Sequence, residues 1–160
     1  MLLRVLSHQV STHWPLIRDT VKRSLSKEEL PLLNETEVLA RLLKDEIQVW
    51  AVLENDNKCT GLCITMVITN LFGIKQLLIF ALAKFDEKKG LVPFGEEAFR
   101  QGYIALGQFA IQQGCASIVA YTEQRSVAET VRTLGGTVRA YAELPVRSVQ
   151  ILNKTEEGEE

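Results

Sequence analysis

The apolar and polar positions of the first 45 residues predict one strand followed by two helices. Residues 1–10 form an apolar run and predict the strand. Apolar residues then recur at intervals of three and four, as on one face of a helix: Trp14, Ile17, Val21 and Leu25. Ser11 and Thr12 are candidate N-caps for this helix, with Pro15 near its first turn. Asn34, followed three residues later by Glu37, predicts the capped start of a second helix.

The middle of the chain predicts three consecutive strands joined by turns. Three segments are rich in β-branched and aromatic residues: residues 47–53, 60–70 and 76–84. Turn-forming residues at 54–57 separate the first two, and a turn at 71–74, with Gly73 available for positive φ, separates the second from the third. Strands joined by such short turns must be antiparallel. Apolar residues fall on both faces of the third segment, so we expect that strand to be covered on both sides.

The rest of the chain predicts alternating helices and strands. After a polar break at 86–95, helix, strand, helix and strand are predicted in turn at residues 96–113, 117–122, 126–134 and 137–144. The predicted order is β-α-α-β-β-β-α-β-α-β, and its strand-helix-strand succession implies a parallel crossover. We therefore predict an α/β (α+β) fold, with a mixed, mostly antiparallel sheet and helices on both faces. A single domain is expected over residues 1–145, followed by an acidic C-terminal tail at 146–160.

Composition limits the function classes open to this chain. The 160 residues suit one domain, and 46% hydrophobic with 24% charged residues is typical of a soluble globular protein. A formal net charge of -2 argues against nucleic-acid binding, because such binders carry an excess of Lys and Arg. The most apolar stretch, residues 73–83, is too short to span a bilayer, so no membrane segment is expected.

The cysteines predict neither a disulfide framework nor a metal site. Cys59, Cys63 and Cys115 are odd in number and widely placed, without CxxC spacing. We therefore expect buried or half-buried thiols and no bound metal. Free thiols are also typical of a reducing compartment, so we expect a cytoplasmic location on synthesis.

Two stretches of the chain carry a resemblance to a known family. In the first, Val-Trp-Ala-Val at 49–52 is followed by Gly-Leu-Cys-Ile-Thr at 61–65. In the second, residues 110–135, a helix ends at Gly114, a strand follows and another helix closes at Leu134-Gly135-Gly136. Together with the order of strands and helices, these stretches resemble the GNAT (N-acetyltransferase) superfamily over residues 2–144. The chain also resembles the small divergent proteins of this kind found in tailed bacteriophages.

The resemblance implies acetyl-CoA as cofactor and a place for it. In the family, an Arg/Gln-x-x-Gly-x-Gly/Ala loop after the fourth strand opens a helix whose backbone N–H groups bind the cofactor pyrophosphate. Residues 84–97 do not fit this motif, and Glu96 and Glu97 stand where a first helical turn would repel a pyrophosphate. If acetyl-CoA binds, the resemblance implies backbone pairing with its pantetheine arm and a substitute phosphate cradle. The residues implied are Phe80, Ala81 and Ala83 for the arm, and Lys88, Lys89 and Gly90 for the phosphates.

The sequence assigns no catalytic residue. His8 and His13 are the only histidines, and we expect both to have surface or capping roles. The family's usual catalytic acid is a Tyr in the last helix, but residues 126–134 contain none. Tyr121 and Tyr141 are the nearest phenols, and both are expected to pack along strands.

Three functional hypotheses follow. The missing motif favours a non-catalytic structural or interaction protein, with protein partner chains, no cofactor and a place in a phage virion. The alternative is an acyl-CoA-dependent N-acetyltransferase with an atypical phosphate loop, in which catalysis rests mainly on positioning an amine against a thioester. A third is a small-molecule sensor that uses the same cleft. A free, splayed cleft between strands ending near Ala83 and Thr122 would favour the cofactor, whereas side chains filling it would favour the structural role.

Overall fold

The computed structural model of the protein describes residues 1–53, 58–86, 90–92, 96–121 and 125–138. The described strands are β1 (Leu2–Val5), β2 (Ile47–Leu53), β3 (Cys59–Thr69), β4 (Lys75–Asp86), β5 (Gly90–Val92) and β6 (Ser117–Ala120). The described helices are α1 (Ser7–Ser24), α2 (Glu35–Leu43), α3 (Glu96–Gln112) and α4 (Arg125–Thr133), with a 3-10 turn at Leu30–Leu32.

The strands form one mixed, mostly antiparallel sheet, as predicted. Its order is β1-β2-β3-β4-β5, and each of these neighbours is antiparallel to the next. β6 pairs with β4 in parallel, which confirms the predicted crossover. Because β3 occupies one edge of β4, both β5 and β6 must pair with the other edge of β4.

Helices cover both faces of the sheet. Val49 and Trp50 are adjacent in β2, so their side chains point to opposite faces. The face of Val49 packs against α1 and α2 through buried apolar residues: Val10, Ile17, Val21, Leu42, Leu62, Ile64 and Ala81. The face of Trp50 packs against α3 in a second cluster: Cys63, Leu77, Leu106, Phe109 and Ala110. The two clusters together make β2, β3 and β4 the centre of the core.

A chain of buried hydrogen bonds runs beneath α3. The indole Nε1 of Trp50 donates to Thr65 Oγ1 at 2.9 Å, and that hydroxyl lies 3.3 Å from Gln48 Oε1. Gln48 Nε2 in turn donates to the backbone oxygen of Asp45 at 2.9 Å. The Trp50 ring meets Phe109 of α3 edge-to-face at 5.0 Å between centroids. Each polar group in this chain therefore has a partner, as a buried network requires.

The first helix begins earlier than the sequence analysis predicted. β1 ends at Val5 and α1 begins at Ser7, so the predicted first strand is confirmed but ends five residues earlier, and the caps predicted at Ser11 and Thr12 were wrong. Gln9 fixes the start of the helix, because its Oε1 accepts from the backbone N–H of Leu6 at 3.0 Å. Pro15 consequently lies inside α1 rather than in its first turn. A stripe spaced by three and four starts already at Val10, which is 2% exposed.

The second helix has the predicted start and an unusual end. Asn34 Oδ1 accepts from the backbone N–H of Glu37 at 3.1 Å, so the predicted cap is confirmed. At the other end, Asp45 adopts φ 62°, and the backbone N–H of Glu46 donates to the Arg41 oxygen at 2.9 Å. This is a Schellman end with aspartate where glycine is usual. The Asp45 carboxylate accepts from Arg4 of β1, which ties the helix end to the sheet.

In the second half of the chain, the predicted break at 86–95 and the predicted strand at 137–144 differ from what the structure describes. Residues 86–95 were predicted as a polar break, but they include β5, which pairs with the end of β4. Of the strand predicted at 137–144, the two described residues, Thr137 and Val138, are not in a strand, and the others lie outside the described residues, as does the acidic tail. Gly73 has the positive φ predicted for its turn, and Gly114 and Gly135 also have positive φ where α3 and α4 end.

Candidate active site

β4 contains one residue more than the stretch of β3 that it pairs with. Ile64 lies opposite Ala81, whereas the next residue, Thr65, lies opposite Ile79. Phe80 therefore has no partner on β3 and forms a β-bulge. A bulge bends its strand and increases the local twist, so β4 changes direction at Phe80.

The bulge lies where the outer edge of β4, the edge away from β3, has no neighbouring strand. β6 pairs with this edge as far as Ile79, which lies opposite Ala120. β5 pairs with the same edge from Lys84 onward, starting opposite Val92. Among the described strands, none pairs with residues 80–83 on this side. We call these four residues the open edge; at about 3.3 Å per residue they span roughly 13 Å.

The side chains of the open edge alternate between buried and exposed. Ala81 and Ala83 are 3% and 9% exposed, and Ala81 packs into the cluster beneath α1 and α2. Phe80 and Leu82 are 41% and 37% exposed. Leu82 lies opposite Cys63, which places it on the face that α3 covers. The two alanines of the open edge are therefore buried in the protein, whereas Phe80 and Leu82 are partly exposed to solvent.

β6 ends beside the open edge, while β4 runs past it. β6 ends at Ala120, and the next residue, Tyr121, is 67% exposed, while β4 continues to Asp86. Crevices at the carboxyl ends of parallel strands are where α/β sheets bind ligands. Pairing between β4 and β6 therefore stops at Ile79 and Ala120, next to the open edge. Thr122, the other limit of the predicted cleft, lies outside the described residues, so the cleft stays a prediction.

The chemistry offered by the open edge comes from the main chain. An unpaired strand edge presents N–H and C=O groups that can pair with an extended, amide-bearing ligand. The nearest thiol does not add a nucleophile, because complete burial raises the pKa of Cys63 from 9.0 to about 12. Cys63 therefore remains a protonated core residue at neutral pH.

The structure brings together only part of the predicted site. Phe80, Ala81 and Ala83 all lie on the open edge. Gly90 instead begins β5 and lies opposite Asp86, so its backbone belongs to a strand pair and not to a free loop. Lys88 and Lys89 lie outside the described residues.

The described candidate acid and base residues belong to other elements than the open edge. His8 and His13 are both exposed residues of α1. Tyr121 follows β6 directly and is exposed, in contrast to the predicted packing along a strand, because β6 stops one residue earlier. Tyr141 lies outside the described residues. Sequence reasoning missed β5 and the bulge at Phe80, the two features that set the limits and the direction of the open edge.

Comparison with solved structures identifies the architecture. The chain is similar to a probable acetyltransferase with a TM-score of 0.65 and 12% identity, over 91% of this chain and 97% of that one. The chain has a GNAT-like fold. It is also similar to the ribosomal-protein-alanine N-acetyltransferase of Brucella melitensis biovar Abortus 2308, with a TM-score of 0.58 and 7% identity over 91% and 98% of the chains.

A third similar structure is also that of an acetyltransferase. It is an aminoglycoside acetyltransferase from an uncultured soil metagenomic sample, solved with sisomicin, with a TM-score of 0.56 and 16% identity over 91% and 96% of the chains. No protein-family model matches the sequence, and a search of curated proteins finds no match. The GNAT-like fold confirms the predicted fold class, whereas the matches give no support to a bacteriophage origin or a virion role. Within the described residues, no helix is long and apolar enough to cross a membrane.

Proposed function

We propose that the protein is an acyl-CoA-dependent N-acetyltransferase that binds its acyl donor along the open edge. The observation that carries this proposal is the stretch of β4 at residues 80–83, which lies between β6 and β5 and whose outer edge pairs with none of the described strands. The acetyltransferases among similar structures support it more than they support a non-catalytic role. The N-acetyltransferase, which was the alternative hypothesis from the sequence, therefore replaces the non-catalytic protein as our first hypothesis.

The open edge fits the pantetheine arm of an acyl-CoA in chemistry and in length. Alternate residues of a strand direct their N–H and C=O groups to the same edge, so about two of the four residues face the ligand. Pantetheine is an extended chain with two amides, spaced much as in a short peptide. Both amides can therefore pair with the main chain of residues 80–83, in the manner of an added strand.

Transfer in this site proceeds directly from donor to acceptor. The lone pair of the acceptor amine attacks the thioester carbonyl, a C–N bond forms, and the C–S bond breaks. The thiolate leaves with the bonding electron pair, and the proton lost by the amine ends on the thiol. The protonated core thiol of Cys63 takes no part, so the acyl group does not stop on this cysteine. Holding amine and thioester in contact supplies the main rate gain.

Calorimetric titration of the folded protein with acetyl-CoA tests the proposal. We expect saturable one-to-one binding in the micromolar range. Leu82→Lys should weaken it at least about tenfold, because the substitution places a long charged chain beside the arm. Leu71→Lys is the matched control, since Leu71 is 101% exposed on the β3–β4 turn and should leave binding unchanged.

Two results would count against this function. The first is no binding heat from a sample whose circular dichroism and melting curve are those of a folded protein. The second is equal loss of binding in Leu82→Lys and Leu71→Lys, which would mean that the open edge is not the binding site.

One observation favours a second candidate, a role in protein-protein interaction. The turn between β3 and β4 presents Leu71 and Phe72, which are 101% and 86% exposed. Asn70 holds this turn, because its Oδ1 accepts from the backbone N–H groups of Phe72 and Ile74 at 2.9 and 3.1 Å. Two apolar side chains on a rigid turn are suited to insertion into a partner. Loss of a partner on Phe72→Ser, with acetyl-CoA binding intact, would support this role.

A further inference from the structure

The side of α3 that faces away from the sheet is apolar and almost without charge. Leu106 and Ala110 pack toward the sheet, whereas Ile104 and Ile111 are 59% and 77% exposed. Residues 101–121 contain no Asp, Glu, Lys, Arg or His, although 24% of the whole chain is charged. The solvent side of a helix normally carries charged residues, whereas the core of a protein interface is depleted of them. The outer side of α3 therefore has the composition of an interface.

Ile104 and Ile111 lie on one line along the helix with Arg100 and Gly107. The four positions are spaced by four, three and four residues, which places them on the same side of an α-helix. We call these four residues the α3 stripe. Ile104 and Ile111 are about 10 Å apart along the helix axis, with Gly107 between them. Arg100, at one end of the α3 stripe, is its only charged member.

The packing of the described chain does not explain the glycine in the α3 stripe. Gly107 lies inside α3, where glycine is less favourable than alanine. It is not one of the described glycines with positive φ. Among the described residues, a Cβ added to Gly107 would meet no atom within 4 Å apart from its chain neighbours and the backbone of α3. A glycine at such a position does allow another backbone to approach closely.

We infer that two copies of the chain associate through the α3 stripe, with their α3 helices antiparallel about a two-fold axis next to Gly107. In this arrangement Ile104 of one chain lies against Ile111 of the partner subunit, and symmetry repeats the same contact on the other side of the axis. Gly107 lies where the two helices cross. Association through α3 does not depend on the proposed acyl transfer.

Charge favours a second copy as the partner and selects the antiparallel direction. An uncharged surface can lie on its own copy without opposing like charges, whereas a charged partner surface would leave its charges there without partners. In the antiparallel pair, Arg100 lies just past the C-terminal end of the partner's α3, which is the negative end of the helix dipole. In a parallel pair, the two copies of Arg100 would lie side by side and repel each other.

A contact of this size predicts a weak dimer. Interfaces that bury less than about 1,200 Å² in total are typical of transient complexes, and a single pair of helices is a contact of that class. We therefore expect a dissociation constant of about 10–100 μM. Sedimentation velocity of the full chain at about 5–300 μM measures it. A folded chain that is monomeric throughout this range would overturn the inference.

Charge variants test the antiparallel arrangement. Ile104→Glu/Ile111→Glu should be monomeric throughout the same range, because like charges then face each other across the axis. Ile104→Glu/Ile111→Lys should still form dimers, since each introduced carboxylate faces an introduced ammonium group of the other chain. The two positions are about 10 Å apart within one helix, so this difference cannot come from a contact inside one chain. Equal association of the two variants would overturn the arrangement.

Glycine variants separate association from the stability of the helix. Gly107→Ala should raise the melting temperature at low concentration by about 2–4 °C, because alanine is the better helix former. It should nevertheless weaken association at least about threefold, by holding the two helices apart.

Gly102→Ala is the matched control for Gly107→Ala. Gly102 also lies in α3, and among the described residues a Cβ added to it would meet no atom within 4 Å apart from its chain neighbours and the backbone of α3. It lies one turn before buried Leu106, on the side of the helix toward the sheet. Gly102→Ala should therefore stabilise the helix equally and leave association unchanged. Equal weakening of association by both variants would contradict the role of Gly107.

Other occupants of the α3 stripe give different results. If the chain is monomeric and Ile111→Lys lowers its melting temperature by several degrees, a segment of the same chain covers the stripe, and the inference is overturned. An oligomer that Ile104→Glu/Ile111→Glu does not weaken would use another surface and would overturn it as well. A concentration-dependent dimer that responds to the charge and glycine variants as described supports it.

Discussion

Deleting Phe80 should leave the protein folded but close the open edge. A one-residue deletion in a strand normally moves every following side chain to the opposite face of the sheet. Here the residue removed is the unpaired one, because Thr65 lies opposite Ile79 and Ile64 opposite Ala81. Without Phe80, Ile79 and Ala81 become neighbours that already point to opposite faces. β4 then becomes a regular strand, and no core residue changes its face.

The cost of the deletion can be worked from the burial of this one side chain. Phe80 is 41% exposed, so slightly more than half of its surface is buried. Full burial of a phenylalanine contributes about 1.5–3 kcal/mol, so loss of this side chain should cost about 1–2 kcal/mol. Phe80→Ala removes the same side chain but keeps the bulge, which makes it the matched control. The free energies of unfolding of the two variants should agree within about 1 kcal/mol.

The two variants should differ in ligand binding. In the deletion variant β6 can continue its pairing past Ile79 and Ala120 and occupy the edge that the bulge leaves open. We therefore expect Phe80→Ala to bind acetyl-CoA and the deletion variant to lose binding by at least about tenfold. Urea unfolding and calorimetric titration measure the two quantities. An unfolded deletion variant, or one that binds as well as Phe80→Ala, would refute the reasoning.

The remaining predictions concern the framework of the site. Asp45→Ala should be about 1–2 kcal/mol less stable to urea than Asp45→Gly, because both lose the same ion pair but only glycine avoids strain at φ 62°; equal stabilities would contradict this account. Thr65→Val should cost about 1–3 kcal/mol by leaving a buried indole N–H without its acceptor, whereas Thr69→Val at the exposed end of the same strand should cost much less; thermal unfolding compares them. At about pH 8 a thiol reagent should label exposed Cys59 but not Cys63 until the protein unfolds, because burial raises the pKa of Cys63 to about 12 and the thiolate is the reactive form. The same shift predicts that Cys63 favours the folded state below pH 9 and ceases to do so as the pH rises toward 12.

The parts of the fold that the sequence predicted are those with a local cause. β2 was predicted at the residues where it lies, because β-branched residues fill it and turn residues follow it. The start of α2 was predicted because an Asn-x-x-Glu cap is a local signal. The start of α1 was missed because Leu6 has no capping side chain, and the helix is instead capped by Gln9 from within.

The features that shape the candidate site have no local cause. β5 has only three residues, which is too short for a hydrophobic period to appear. The bulge at Phe80 is a mismatch between the lengths of two strands, so it exists only in their pairing and in neither strand alone. The open edge was reached from the sequence only through the resemblance to the GNAT superfamily, which pointed to residues 80–83 without showing why they are unpaired.

A binding site made from main-chain groups also explains why the sequence carries so little chemistry. Every residue except proline supplies one backbone N–H and one C=O, so an edge that pairs with an amide-bearing arm requires no particular side chain. What it requires is small residues that hold the strand against one face, as Ala81 and Ala83 do, and a strand pairing that ends before it, as that of β6 does at Ile79. Neither requirement leaves a motif. The absence of a catalytic pattern is therefore compatible with the proposed acyl transfer by positioning, and in that proposal donor binding depends on the register of β4.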